Sequence, residues 1–242
     1  MKKIAIFTEG QSELIFIRNL LLKLINNNEL GFECFKLNAD SYKDVPYKYN
    51  PPNAKIFFLI INVQNDSKVT SAIKERGKNL FERGYELVIG VRGMYSEAYD
   101  KQARGKIDNK TTAKVRNLIN REIGNMNGSR NILIFFAIME FESWLLSMYN
   151  LFCKINGKLT IYYIEEKIGF NLKNIDPQTT FYRPSNILKR ILELCCIDYD
   201  KSEDIIEKIT SPLDKKDFDN ACENNRCKSF NEFYTQLVSI SA

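Results

Sequence analysis

Histidine is absent from the whole chain, and that absence excludes more chemistry than any other feature. It removes Ser-His-Asp and Cys-His catalysis, imidazole acid/base work and the common zinc sites that use His. Chemistry near neutral pH must rest on carboxylates, Lys, Tyr, Cys or a bound metal. Cysteine is not organised for metal or disulfide either. None of the six makes a Cys-x-x-Cys pair, Cys195 and Cys196 are adjacent, and Cys222 and Cys227 are too widely spaced to act as one. Reduced packing thiols in a cytoplasmic protein are expected. Long apolar runs are missing too. The first, Ile4-Ala5-Ile6-Phe7, ends close to Glu9, so no secretory signal is expected, and no run approaches the roughly 18 residues of a membrane span.

Charge is moderate at +5, with an apolar share of 44% that suits a sizeable core. The charge is not evenly spread. From Lys101 to Arg121 the chain carries Lys101, Arg104, Lys106, Lys110, Lys114, Arg116 and Arg121 against one acid, Asp108. Such a block is either a phosphate-binding surface or a solvated helix and loop. In the first case Arg92, Lys101, Arg104, Lys106, Lys110 and Lys114 are the candidate nucleic-acid contacts. Tyr95 and Tyr99 either stack on bases or pack within the loop.

The first half alternates strand and helix patterns. Strands are expected at 4–7, 34–37, 56–61, 86–91 and 132–138, and 56–61, apolar on both faces, reads as central. Amphipathic helices are expected over 12–26, from a cap at Asp66 or Ser67 to Gly84, over 111–126, and over 141–152, where Trp144 belongs to the core. A polar, proline-bearing loop is expected over 38–53. The alternation implies an α/β fold, a mostly parallel sheet with helices on both faces. Beyond Cys153 the pattern turns helical, with candidates at 161–168, 184–196, 202–210 and 230–240, and the charged stretch 214–219 between the last two. The expected layout is an α/β domain over 1–152 with a helical C-terminal extension over 153–242 packed on it.

Two acid pairs follow expected strands: Glu9 and Glu13 after the first, Glu140 and Glu142 after the last. Parallel strands share one C-terminal edge, so Glu9 and Glu140 can converge there, and Glu140 and Glu142 share a face if the strand continues through them. Magnesium or manganese takes one or two carboxylates with water and substrate phosphate, and such an ion suits phosphodiester hydrolysis. The candidate metal ligands are Glu9, Glu140 and Glu142, and the candidate catalytic acids are Glu9, Glu13 and Glu140. The structural reading stays open beside it. Gly10 also reads as a helix N-cap with Glu13 in the first turn, and Glu140 and Glu142 as support for a helix start.

Ile6-Phe7-Thr8-Glu9-Gly10-Gln11-Ser12-Glu13, with its continuation through Arg18, resembles the opening motif of Toprim domains, in which a strand delivers a glutamate followed by glycine. Together with Ala137-Ile138-Met139-Glu140-Phe141-Glu142-Ser143-Trp144 and Arg226-Cys227-Lys228-Ser229-Phe230, it resembles a bacterial Toprim-like group related to RloB, across nearly the whole chain. The resemblance implies a Toprim-like (Rossmann-like) fold, a divalent metal and a DNA or RNA substrate, with Glu9 as general base or metal ligand and Glu140 as accessory acid. It implies a nuclease, with anti-phage defence as one setting. The chain departs from the pattern at Val91-Arg92-Gly93-Met94, where glycine replaces an expected aspartate, with Glu97 and Asp100 as the nearest substitutes. The alternative expectation is therefore a Toprim-derived nucleic-acid-binding or regulatory subunit without hydrolysis, acting beside a partner such as an ATPase. A homodimer is compatible with either reading.

Overall fold

The structure, a computed structural model, describes residues 1–38, 41–223 and 226–241, without the side chains of residues 66 and 67. The cap expected at Asp66 or Ser67 therefore lies outside the described residues. The chain folds into two compact units. One comprises Met1–Arg92 and Asn109–Phe136, with Ser241; the other comprises Gly93–Asp108 and Ala137–Ile240. The chain passes between them three times before position 152, so the units do not follow the expected division at 152/153.

The first unit is built on a six-stranded sheet. In chain order the strands are β1 (Lys2–Thr8), β2 (Leu30–Asn38), β3 (Ser41–Tyr49), β4 (Ile56–Asn62), β5 (Leu87–Gly93) and β6 (Ile132–Ala137). Their spatial order is β3-β2-β4-β1-β5-β6. β4 pairs in parallel with β1 and β2, and β1 with β5. Burial on both faces explains why β1, β4 and β5 read as continuous apolar runs. Helices α1 (Gln11–Leu24), α2 (Asp66–Glu82) and α4 (Asn109–Gly124) make the crossovers, and helices cover both faces of the mostly parallel sheet.

Three details differ from the expectation. Within the loop expected over 38–53, residues 41–49 form β3, which pairs antiparallel with β2. Pro46 falls where the register shifts, between the pairs Phe35↔Asp44 and Glu33↔Lys48. A bulge on an edge strand is where a residue without an amide hydrogen is tolerated. Secondly, α1 is buried on every side, from Ser12 through Leu21. Arg18 lies within that stretch, donating to Asn19 Oδ1 at 2.8 Å and stacking over the Tyr47 ring at 4.1 Å. Thirdly, the helix expected over 141–152 is two helices, α5 (Glu142–Ser147) and α6 (Leu151–Ile155), separated where Met148 leaves helical geometry.

The second unit contains α3 (Glu97–Ala103), α5, α6, α7 (Ile161–Ile168), α8 (Pro177–Thr180), α9 (Pro184–Glu193), α10 (Glu203–Thr210), α11 (Lys215–Cys222) and α12 (Lys228–Ser241). The charged stretch 214–219 is helical because Asp214 and Asp217 form a capping box at the start of α11. Fully buried Trp144 organises the packing of α12 on α5. Its ring stacks on Phe233 at 5.3 Å, and its indole N–H donates to Ser229 Oγ at 2.8 Å. Arg226 donates to the carbonyls of Lys173 and Asn220 and stacks on Tyr149. Arg226 and Ser229, conspicuous in the sequence, thus have structural work inside this unit.

Candidate functional site

In the first unit the candidate residues gather where parallel strands end. β1 finishes at Thr8, whose hydroxyl donates to the Gly10 carbonyl at 3.1 Å. Thr8 pairs with Asn62 on one side and Val91 on the other. Asn62, almost fully buried, donates to Gln11 Oε1 at 2.8 Å and accepts the Gln64 backbone N–H at 2.8 Å. Gln64 takes a left-handed backbone conformation there, with φ +66°, and its side chain donates to the Leu37 carbonyl. These bonds tie the ends of β1, β2 and β4 to the start of α1. Sequence reading misses Asn62 and Gln64, because a single amide after a strand carries no pattern.

Half-buried Glu9 continues the ladder, its backbone N–H donating to the Val91 carbonyl at 3.2 Å. Carrying the Thr8↔Val91 register one step further sets Glu9 level with Arg92. Gly10 is the N-cap of α1, in extended geometry. Glu13 is buried in the first turn with its carboxylate folded over Gly10; a Cβ placed on Gly10 would come within 3.0 Å of Glu13 Oε2. That is the favourable end of the helix dipole for a negative charge.

The second unit holds Glu140 and Glu142, which do not share a face. β6 stops at Ala137, and buried Met139 takes a left-handed conformation, φ +64°. That is a strained position for a bulky side chain. The Met139 carbonyl accepts the Tyr95 N–H at 2.8 Å. Past this turn Glu142 becomes the first residue of α5, and the two carboxylates acquire separate partners. Glu140 Oε2 accepts the backbone N–H of Ser185, in the first turn of α9, at 2.9 Å, and Oε1 lies 3.8 Å from Arg183. Glu142 is only 1% exposed; its Oε1 accepts from the Tyr199 hydroxyl at 2.8 Å and pairs with Lys201 at 2.6 Å.

Around Glu140 an aromatic and cationic cluster appears that the sequence did not announce. The Arg183 guanidinium lies 3.6 Å above the Tyr95 ring and also donates to the Tyr95 hydroxyl. The Tyr95 and Tyr182 rings meet edge-on at 5.9 Å. The Tyr182 hydroxyl donates to Asp100, which also accepts the Gly105 N–H at 3.2 Å. Burial and then the bond to Asp100 hold the Tyr182 phenol above its ordinary range, so it is a donor and not a base at neutral pH. Tyr95 is half-buried and Tyr99 fully so, its hydroxyl bonded to the Asp108 backbone. Tyr99 packs and cannot stack on a base without unfolding α3. Asp100 is engaged, and Glu97 is exposed in the first turn of α3.

The basic candidates divide between the units: Arg92, Lys110 and Lys114 in the first, Lys101, Arg104 and Lys106 in the second. All but half-buried Arg92 are exposed.

A magnesium ion finds no ready cage in these residues. Among the described residues no three acidic or cysteine side chains are placed to hold a metal ion together. In the second unit Glu140 is turned to Ser185 and Arg183, and Glu142 to Tyr199 and Lys201. The buried Glu142 Oε2, though without a hydrogen-bond partner, belongs to a carboxylate already neutralised by an ammonium. A divalent cation there would have to displace Lys201, so these two acids do not fit the ligand pair expected of them. Also among the described residues, no helix is long and apolar enough to cross a membrane. The chain matches no protein-family model, no curated protein and no solved structure.

Proposed function

We propose that this chain is a Toprim-like nucleic-acid-binding protein whose strand-exit site serves recognition or regulation rather than hydrolysis. One observation carries the reading. The register of β1 and β5 puts Arg92 level with Glu9, and the strand then ends in Gly93, with no carboxylate at either position. A cation beside Glu9 favours a phosphate oxyanion and disfavours a second metal-binding acid. The internal pairing of Glu140 and Glu142 supports the same direction. The exposed lysines and arginines of 101–114 supply charge for a polyanion. The reading places the protein in the cytoplasm, in keeping with free cysteines, and gives it a catalytic partner such as an ATPase, in a setting such as phage defence.

A second reading, a magnesium- or manganese-dependent nuclease, is favoured by Glu9 standing directly after a central parallel strand. One experiment separates the two. Fluorescence anisotropy with labelled DNA and RNA is run beside cleavage of plasmid and structured RNA with either metal, on the parent chain, Glu9→Gln and Gly93→Asp. Binding by the parent without cleavage supports the proposal, and cleavage confined to Gly93→Asp supports it most strongly. Cleavage by the parent that Glu9→Gln abolishes overturns it in favour of the nuclease.

A further inference from the structure

The helix α4 carries a feature that its sequence neighbourhood conceals. Within the basic block, Lys110, Lys114, Asn117 and Arg121 recur at spacings of four, three and four residues, and all four are exposed. At 100° per residue they fall within an arc of about 60°, one straight stripe along the helix. The opposite side holds buried Ile119 and Ile123, and buried Thr111 lies about 90° from the stripe's centre; these three seat α4 in the first unit. Arg116 leaves the stripe and stacks over the Phe136 ring at 5.6 Å. The one acid of α4, Glu122, stands about 100° away from the stripe.

We infer that the outer face of α4 grips the sugar-phosphate backbone of a nucleic acid, with Lys110, Lys114 and Arg121 on phosphates and the Asn117 amide donating between them. The inference rests on the nucleic-acid reading above and specifies which surface performs it. The stripe is about 16 Å long, from eleven residues at 1.5 Å each. A nucleic-acid strand rises about 3.4 Å per phosphate along a duplex, so the stripe lies along roughly five phosphates. A linear, rigid row of donors matches a linear, regularly charged polymer. A lipid surface is a poorer match, because membrane-lying helices present a broad apolar face, whereas on α4 Ile119 and Ile123 are buried and Leu118 is a lone large apolar side chain left exposed.

The test is a salt series of anisotropy titrations with labelled duplex and single-stranded oligonucleotides. The variant is Lys110→Gln/Lys114→Gln/Arg121→Gln. Its control, Lys23→Gln/Lys36→Gln/Lys43→Gln, removes the same charge from exposed positions elsewhere in the same unit. The stripe variant is expected to bind at least tenfold more weakly at 0.1 M salt, with its log-log salt slope on duplex reduced by about 2.7, or 0.9 for each lost contact. The control is expected to keep both values near those of the parent. Equal weakening in both variants overturns the inference, because net charge and not the stripe is then responsible. If the parent binds and the stripe variant binds equally well, while Lys101→Gln/Arg104→Gln/Lys106→Gln loses binding, the stripe is refuted and the nucleic-acid reading stands. A parent that binds no oligonucleotide, or binds only anionic phospholipid vesicles, overturns both.

Discussion

Replacing Lys201 by Met tests the account of Glu142 directly. The Glu142 carboxylate is 1% exposed, and among the described residues its charged partner is the Lys201 ammonium at 2.6 Å. Without that ammonium, the Tyr199 hydroxyl and the N-terminal end of α5 are left to stabilise a buried negative charge. Breaking a buried pair by removing one partner costs about 3–5 kcal/mol. Lys201 is itself 49% exposed, so water can partly replace it, which puts the expected loss at the lower end, about 3 kcal/mol. In a chain of this size each kcal/mol moves Tm by about 2–4 °C, giving a drop of roughly 6–12 °C. The chain carries its own probe, since its single tryptophan is Trp144, fully buried on the same helix as Glu142. Thermal melts followed by Trp144 fluorescence should show the drop in Lys201→Met and little of it in Lys201→Arg. Adding Glu142→Gln to Lys201→Met should recover most of the loss, because the neutral amide leaves no stranded charge and can still accept from Tyr199. A Lys201→Met melt that matches the parent, or a double variant no better than the single, would refute the assignment of Glu142 to an internal ion pair and return it to the candidate metal ligands.

Other perturbations test other parts of the fold. Gly90→Ala should lower the Tm of the first unit, since its new methyl would lie 2.5 Å from Ile134 Cδ1 and 2.9 Å from Ile73 Cδ1; overpacking of this kind costs about 1–3 kcal/mol, read by far-UV circular dichroism. Thiol labelling at pH 8 should be fast at exposed Cys153 and Cys196 and slow at half-buried Cys222, whereas buried Cys34 and Cys227, pushed up to about 12 by burial, should react only in denaturant. The hydrogen bond from Lys154 first, and backbone bonding within α11 after it, hold the Asp214 carboxyl below its usual 3.8. Stability from this group is therefore present above about pH 4 and lost as pH falls through the depressed value. Lys154 itself is lowered by burial but raised overall by its bonds to Asp214 and Asp217. Its contribution is complete below 10.5 and lost as pH rises beyond the raised value. Urea unfolding of Lys154→Met should show a shallower acid limb than the parent between pH 5 and pH 3, and an unchanged limb would refute the pairing.

Much of the architecture is legible in the amino-acid pattern. β1, β4, β5 and β6, and the helices at 161–168, 184–193 and 203–210, lie close to where apolar periodicity puts them, because burial on one or two faces leaves a local, repeating mark. The edge strand β3 is not legible in that way. Its residues are mostly exposed and it contains Pro46, so only the pairing with β2 and a bulge turn it into a strand. The break between α5 and α6 likewise has no Gly or Pro to announce it.

The site divides in the same way. The sequence by itself determines the delivery of Glu9 by a buried parallel strand, the departure at Gly93 and the basic block, since each depends on residues adjacent in the chain. The fates of Glu140 and Glu142 are decided by tertiary structure. Their partners Arg183, Ser185, Tyr199 and Lys201 lie more than forty residues downstream, and the left-handed turn at Met139 sends the two acids apart. The stripe on α4 combines both levels. Its charges are read from the chain, but which of them share the outward face follows from how Ile119 and Ile123 are buried.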